Sequence, residues 1–116
     1  MKLEGKAKMI RIHFGEADKW EGKPLYQAIV EKCREMDIAG ATVYRGIEGY
    51  GASTRIHRAR HLLSFSSDAP IMAMIIDSEE NIARLIPAIE PMLREGLIAV
   101  SNVEVIKYVH DNARRE

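Results

Sequence analysis

The eight residues Pro70 to Asp77, PIMAMIID, constrain the fold of this chain more than any other stretch. Ile71, Ala73 and Ile75 alternate with Met72, Met74 and Ile76, so both faces of the segment are apolar. A strand of that kind belongs in the middle of a sheet, covered on both sides. The rest of the chain has to supply its neighbours and its cover.

The remaining segments fall into order around it. Lys6 to Phe14 alternates, with Ile10, Ile12 and Phe14 on one face and Met9, Arg11 and His13 on the other, as in a half-buried strand. Gly15 to Gly22 is polar and reads as a loop. Pro24 suits a first helical position, where its missing N–H removes nothing. Leu25, Ala28, Ile29, Cys33 and Met36 then follow at helical spacing, and Gly40 is expected to end the helix. Ala41 to Ile47 reads as a second strand. After Pro70–Asp77, Asp77 or Ser78 can cap a second helix whose first turn holds Glu79 and Glu80. Its apolar stripe is Ile82, Leu85, Ile86, Ile89, Met92 and Leu93. Pro87 and Pro91 lie on the opposite face, which predicts one bent helix. Leu97 to Val109 reads as a last strand, bent near Ser101 and Asn102, and the tail HDNARRE as frayed.

This order, β-α-β-β-α-β, predicts an α+β ferredoxin-like domain over the whole of residues 1–116. Its antiparallel four-stranded sheet would carry both helices on one face. Met72, Met74 and Ile76 would then mark the other face as a hydrophobic patch. Either copies of the chain turn these faces toward one another, or the long loop before Pro70 folds back over them.

Lysine and arginine number 17 and aspartate and glutamate 17, so the net charge is zero and any anion site must arise from local clustering. A single cysteine, Cys33, allows no internal disulfide and suits a reducing cytoplasm; its place on the apolar stripe reads as core. The N-terminus has no apolar run of signal-peptide length, and no stretch approaches the length of a membrane span.

Local clustering appears in one place. Gly46, Gly49 and Gly51 follow the second strand in a G-x-x-G-x-G pattern, which is neither a dinucleotide fingerprint nor a P-loop. Glycines there permit positive φ and let backbone N–H groups approach an anion. No acid occurs between Glu48 and Asp68, while Arg45, Arg55, Arg58 and Arg60 flank or occupy the segment. Arginine presents a planar fork of donors that matches phosphate oxygens. A loop over residues 48–66, most mobile between Tyr50 and Arg60, is the candidate for function. His57 and His61 lack a nearby carboxylate or cysteine and make an incomplete metal site. Trp20 and Tyr26 are candidates for packing at an interface or beside a base. No catalytic set emerges from spacing. Strand three has no aromatic for stacking bases, which argues against a nucleic-acid module.

The strand ending YRGIEGYG, the final VEVIKY strand and the order of elements resemble the PII-type signal-transduction proteins, and more closely a short PII-like branch. The resemblance covers Lys6 to Tyr108. It implies a homotrimer that binds an adenine nucleotide (AMP, ADP or ATP) in clefts between subunits, with no required cofactor. The loop would contact a partner, such as a membrane transporter or channel. It assigns Arg45, Gly46, Gly49, Tyr50, Gly51 and Lys107 to the nucleotide. Arg55, His57 and Arg58 are assigned to phosphate or partner. The chain differs from the family in keeping only Arg94-Glu95-Gly96 where a second glycine-rich loop holds phosphates, which favours a smaller adenine nucleotide than a triphosphate, or a different ligand. A metal-tolerance trimer of the same fold and an enzyme with an inter-subunit site remain as alternatives.

Overall fold

A computed structural model describes residues 3–50, the backbone of 56–58, and residues 68–110. In chain order the elements are β1 (Gly5–Gly15), β2 (Lys19–Trp20), β3 (Lys23–Pro24), α1 (Leu25–Glu35), β4 (Ala41–Arg45) and β5 (Glu48–Tyr50). They continue as β6 (Ile56–Arg58), β7 (Pro70–Asp77), α2 (Glu79–Ile89), a 3₁₀ turn (Glu90–Met92) and β8 (Leu97–Val105). The main sheet has the order β4-β7-β1-β8 with every neighbouring pair antiparallel. This is the split βαβ arrangement.

Strand β7 is central, as its composition requires. Ile71, Ala73 and Ile75 are buried, and Met72, Met74 and Ile76 on the other face are half-buried within one chain. Both helices lie against the first face. Their stripes, Leu25, Ala28, Ile29 and Cys33 from α1 and Ile82, Leu85 and Ile89 from α2, join Ile10, Ile12, Phe14 and the β7 residues in one core. The register puts Met9, Arg11, His13, Tyr44, Leu97 and Ala99 on the open face with the methionines.

Several boundaries differ from the sequence expectation. Helix α1 is not stopped by Gly40. Asp37 takes φ +56°, the Asp37 N–H donates to the Arg34 carbonyl, and the Ile38 N–H to that of Cys33. This is a Schellman closure with an aspartate in the glycine position. Pro24 is the residue before the helix, with ψ 136°, because it still pairs with Lys19 in the β2–β3 hairpin. The polar Gly15–Gly22 stretch holds the first strand and the turn of that hairpin. Glu21 and Gly22 at its turn have φ +50° and +84°, as a type I′ turn requires.

The second helix ends at Ile89, and Pro91 lies in a separate 3₁₀ turn. Pro87 and Pro91 cannot donate to the carbonyls four residues earlier, and the Leu93 N–H closes on Glu90 instead. Both prolines are exposed. Strand β8 keeps one unbroken register with β1 through Ser101 and Asn102, so it has no bend there. It ends at Val105, opposite Gly5, where φ +99° turns β1 away. The Tyr108 N–H is accepted by the Glu4 carboxylate at 3.0 Å rather than by a ladder partner.

Candidate functional site

Strand β4 ends at Arg45, two residues before the expected Ile47. Arg45 is its last paired residue, opposite Ile71. The Gly46 N–H donates to the Pro70 carbonyl at 2.7 Å, and Pro70 has no N–H to return. A Cβ built on Gly46 would stand 2.8 Å from Pro70 Cγ, and one on Gly49 3.0 Å from Pro70 Cβ. The close approach of the chain to a proline ring therefore leaves no room for a side chain at Gly46 and little at Gly49. Neither has positive φ, the use expected of them from sequence.

Beyond the crossing, the chain rises as a two-stranded hairpin. Its register sets Glu48 opposite Arg58, Gly49 opposite His57 and Tyr50 opposite Ile56. Ile47 and Tyr50 are exposed, at 84% and 72%. Gly51, Arg55, Arg60 and His61, with the rest of the loop and the tail from Asp111, lie outside the described residues.

The two stems of the loop are tied to the turn after β1. Glu16 is the centre of this arrangement. One carboxylate oxygen, Oε2, accepts from Arg45 Nε at 3.0 Å, and Oε1 accepts from the Ala69 N–H at 3.3 Å. The Glu16 N–H donates to the Ala69 carbonyl at 2.8 Å. Next to it, the Ala17 N–H donates to Asp68 Oδ1 at 3.1 Å. Asp18 shapes the turn itself by accepting from the Gly15 N–H and offering its carbonyl to the Leu25 N–H. Glu16 was not singled out by sequence reasoning. The available signal was an acid directly after a first strand whose end must lie beside the end of β4.

Lys107 is placed elsewhere. It follows the end of β8 instead of lying on it, and it is exposed. Val105 pairs with Gly5, whereas the loop base adjoins Gly15 and Pro70. Ten residues of extended strand separate the two ends, about 33 Å. Within one chain, Arg45, Gly46, Gly49 and Tyr50 come together, and Lys107 does not join them. The α2–β8 turn of Arg94, Glu95 and Gly96 is at the loop-base end, since Leu97 pairs with His13. Gly96 has φ +138°, and an added Cβ would stand 2.1 Å from the His13 carbonyl oxygen.

Among the described residues, no three His, Cys, Asp or Glu side chains are grouped to hold a metal ion. None of the helices described is long and apolar enough to cross a membrane.

The topology and the hairpin borne on the connection from β4 to β7 match the ferredoxin-like fold of PII-like proteins. CPII from Thiomonas intermedia K12, a nitrogen regulatory PII-like protein solved with ADP, AMP and bicarbonate, superimposes with a TM-score of 0.67 at 21% identity, covering 91% of this chain and 92% of CPII. The chain belongs to the DUF190 family (Uncharacterized ACR), which matches residues 7–105. A UPF0166 protein of Aquifex aeolicus is 41% identical over 101 residues, 87% of this chain and 94% of that protein. A UPF0166 protein of Methanocaldococcus jannaschii is 36% identical over 103 residues, 88% and 94% of the two chains.

Proposed function

We propose that this is a PII-like regulatory protein without a chemical step of its own. It binds an adenine nucleotide, AMP, ADP or ATP, in clefts between the subunits of a cytoplasmic homotrimer. Arg45, Gly46, Gly49, Tyr50 and Gly51 form one wall at the loop base. Lys107 of the next subunit reaches the phosphates from the other side. Arg55, His57 and Arg58 on the loop meet phosphate or a partner, which is a membrane transporter or channel on this reading. The ligand acts by its preference for one loop arrangement over another.

The observation that carries this reading is the separation along β1. Loop base and Lys107 stand at opposite ends of one strand, so a pocket using both needs two copies. The half-buried methionines of the open face supply an apolar surface for the contact. Support for the ligand class comes from CPII, whose structure holds ADP and AMP.

Calorimetric titration with AMP, ADP and ATP tests the proposal. Wild-type protein should bind at least one of them, and an Arg45→Ala, Lys107→Ala double variant should lose most of that affinity. Absence of binding by wild type, or undiminished binding by the double variant, overturns it.

A further inference from the structure

The arrangement around Glu16 has a consequence for whatever anion enters the loop base. Arg45 belongs to an edge strand and half of its side chain is exposed, yet its Nε is held by an internal carboxylate. The same carboxylate holds Ala69 on the returning stem. Its two oxygens thus bridge the outgoing and returning ends of the loop. The backbone of Glu16 is fixed separately, through its own N–H on the Ala69 carbonyl. Side-chain departure therefore leaves the turn after β1 in place. With Asp68 on the Ala17 N–H, the returning stem keeps a second link to that turn, and the Gly46 N–H on the Pro70 carbonyl still joins the two stems, when the first opens.

A carboxylate and a phosphate compete for the same guanidinium donors, and here one oxygen of Glu16 takes the Arg45 Nε. Two anions at one arginine repel each other, and a ligand that prefers one of two arrangements shifts the population toward it.

We propose that Glu16 is the built-in competitor for the anion at Arg45. Its carboxylate latches both loop stems, and an anionic ligand that takes the Arg45 Nε displaces it from the guanidinium. Binding at the loop base and release of the Ala69 amide are then one event. This extends the reading above, since it assumes an anionic ligand at the loop base, but it does not depend on that ligand being a nucleotide.

Two measurements test it, with inorganic pyrophosphate used beside AMP, ADP and ATP. In the first, binding is compared between wild type and Glu16→Gln. The variant keeps an acceptor for the Ala69 N–H and loses the charge. Loss of a half-exposed ion pair predicts affinity about two- to fivefold tighter in the variant. A residue that merely braced the site would give weaker binding when changed. In the second, hydrogen exchange is followed at the Ala69 amide. Saturating pyrophosphate should speed it in wild type, and Glu16→Ala should show the faster rate without any ligand. Unchanged or weaker anion binding by Glu16→Gln, or Ala69 exchange that pyrophosphate leaves unaltered or slows, overturns the latch. Pyrophosphate binding without nucleotide binding would overturn the nucleotide reading and leave the latch to be judged on these two results.

Discussion

Cys33 lies on the buried stripe of α1, 2% exposed, with Ile29 on the same stripe. Burial pushes its thiol up to about 11, because a thiolate in that setting is poorly solvated. The thiolate is the reactive form, so native protein at pH 8 should resist iodoacetamide while unfolded protein reacts readily. The linkage has a definite sign. A group whose folded value is raised stabilises the fold fully below its unfolded value and loses that contribution as pH rises toward the folded one. Denaturant midpoints should therefore fall for wild type as pH climbs from about 9 toward about 11, relative to Cys33→Ala followed over the same range. Rapid labelling of the native thiol at pH 8 would contradict this placement in the core. The sequence already put Cys33 on the apolar stripe, because helical spacing is a strong local signal. It did not expose the weight of Asp77, which is fully buried. Asp77 accepts from the Ala39 N–H at 2.8 Å, from the Ser78 N–H at 2.6 Å and from Asn81 Nδ2 at 3.1 Å, fastening the α1–β4 turn to the start of α2. An aspartate ending a strand looks like a helix cap in sequence, and the Ala39 contact is a tertiary one.

At the scale of elements, periodicity located both helices and all four main strands, and the errors fall where local chemistry is shared between residues. The end of α1 shows why. Gly40 is the obvious stop in the sequence, yet the closure needs its left-handed residue directly after the C-cap, Met36, and that residue is Asp37. The helix length is set by burial of Cys33 and by the Ile38 N–H on the Cys33 carbonyl, so the chain turns where the core ends. Aspartate tolerates this conformation better than most residues but less well than glycine. Replacing Asp37 with glycine should raise stability by about 0.5–1 kcal/mol, net of the greater freedom glycine has in the unfolded chain. A urea titration would read this as a higher midpoint with unchanged slope. A fall in the midpoint would mean that the aspartate carboxylate contributes more than its backbone strain removes. The β2–β3 hairpin was missed for a related reason. Two residues per strand carry no detectable alternation, and only the Glu-Gly pair at the turn marks it. The loop base was legible as a cluster of glycines beside arginines. That the glycines accommodate Pro70 was not, because a contact across the sheet between β4 and β7 has no local signature.

The whole molecule has two ends of different character, and β1 spans the distance between them. One end carries the loop stems, Glu16 and the Arg94–Gly96 turn; the other carries Glu4 and the segment after β8, where Ile106 and Val109 are exposed at 82% and 72%. If a ligand site joins the two ends, no single chain can complete it, and this gives a test that separates a shared cleft from a site within one subunit. Arg45→Ala and Lys107→Ala each remove one wall. Each pure variant should then bind nucleotide poorly. When the two are unfolded together and refolded as a mixture, each cleft draws its walls at random from two subunits. About a quarter of the clefts should combine an intact Arg45 with an intact Lys107 if the subunits form a closed ring. Calorimetry on the mixture should recover wild-type affinity at about that fraction of the sites. Sedimentation of the same sample would establish that mixed assemblies formed. A site confined to one chain predicts no recovery at all, since every subunit in the mixture lacks one of the two residues. Should Lys107→Ala alone bind as wild type does, the far end of β1 has no part in the pocket, and the ligand rests on the loop base with its Glu16 latch.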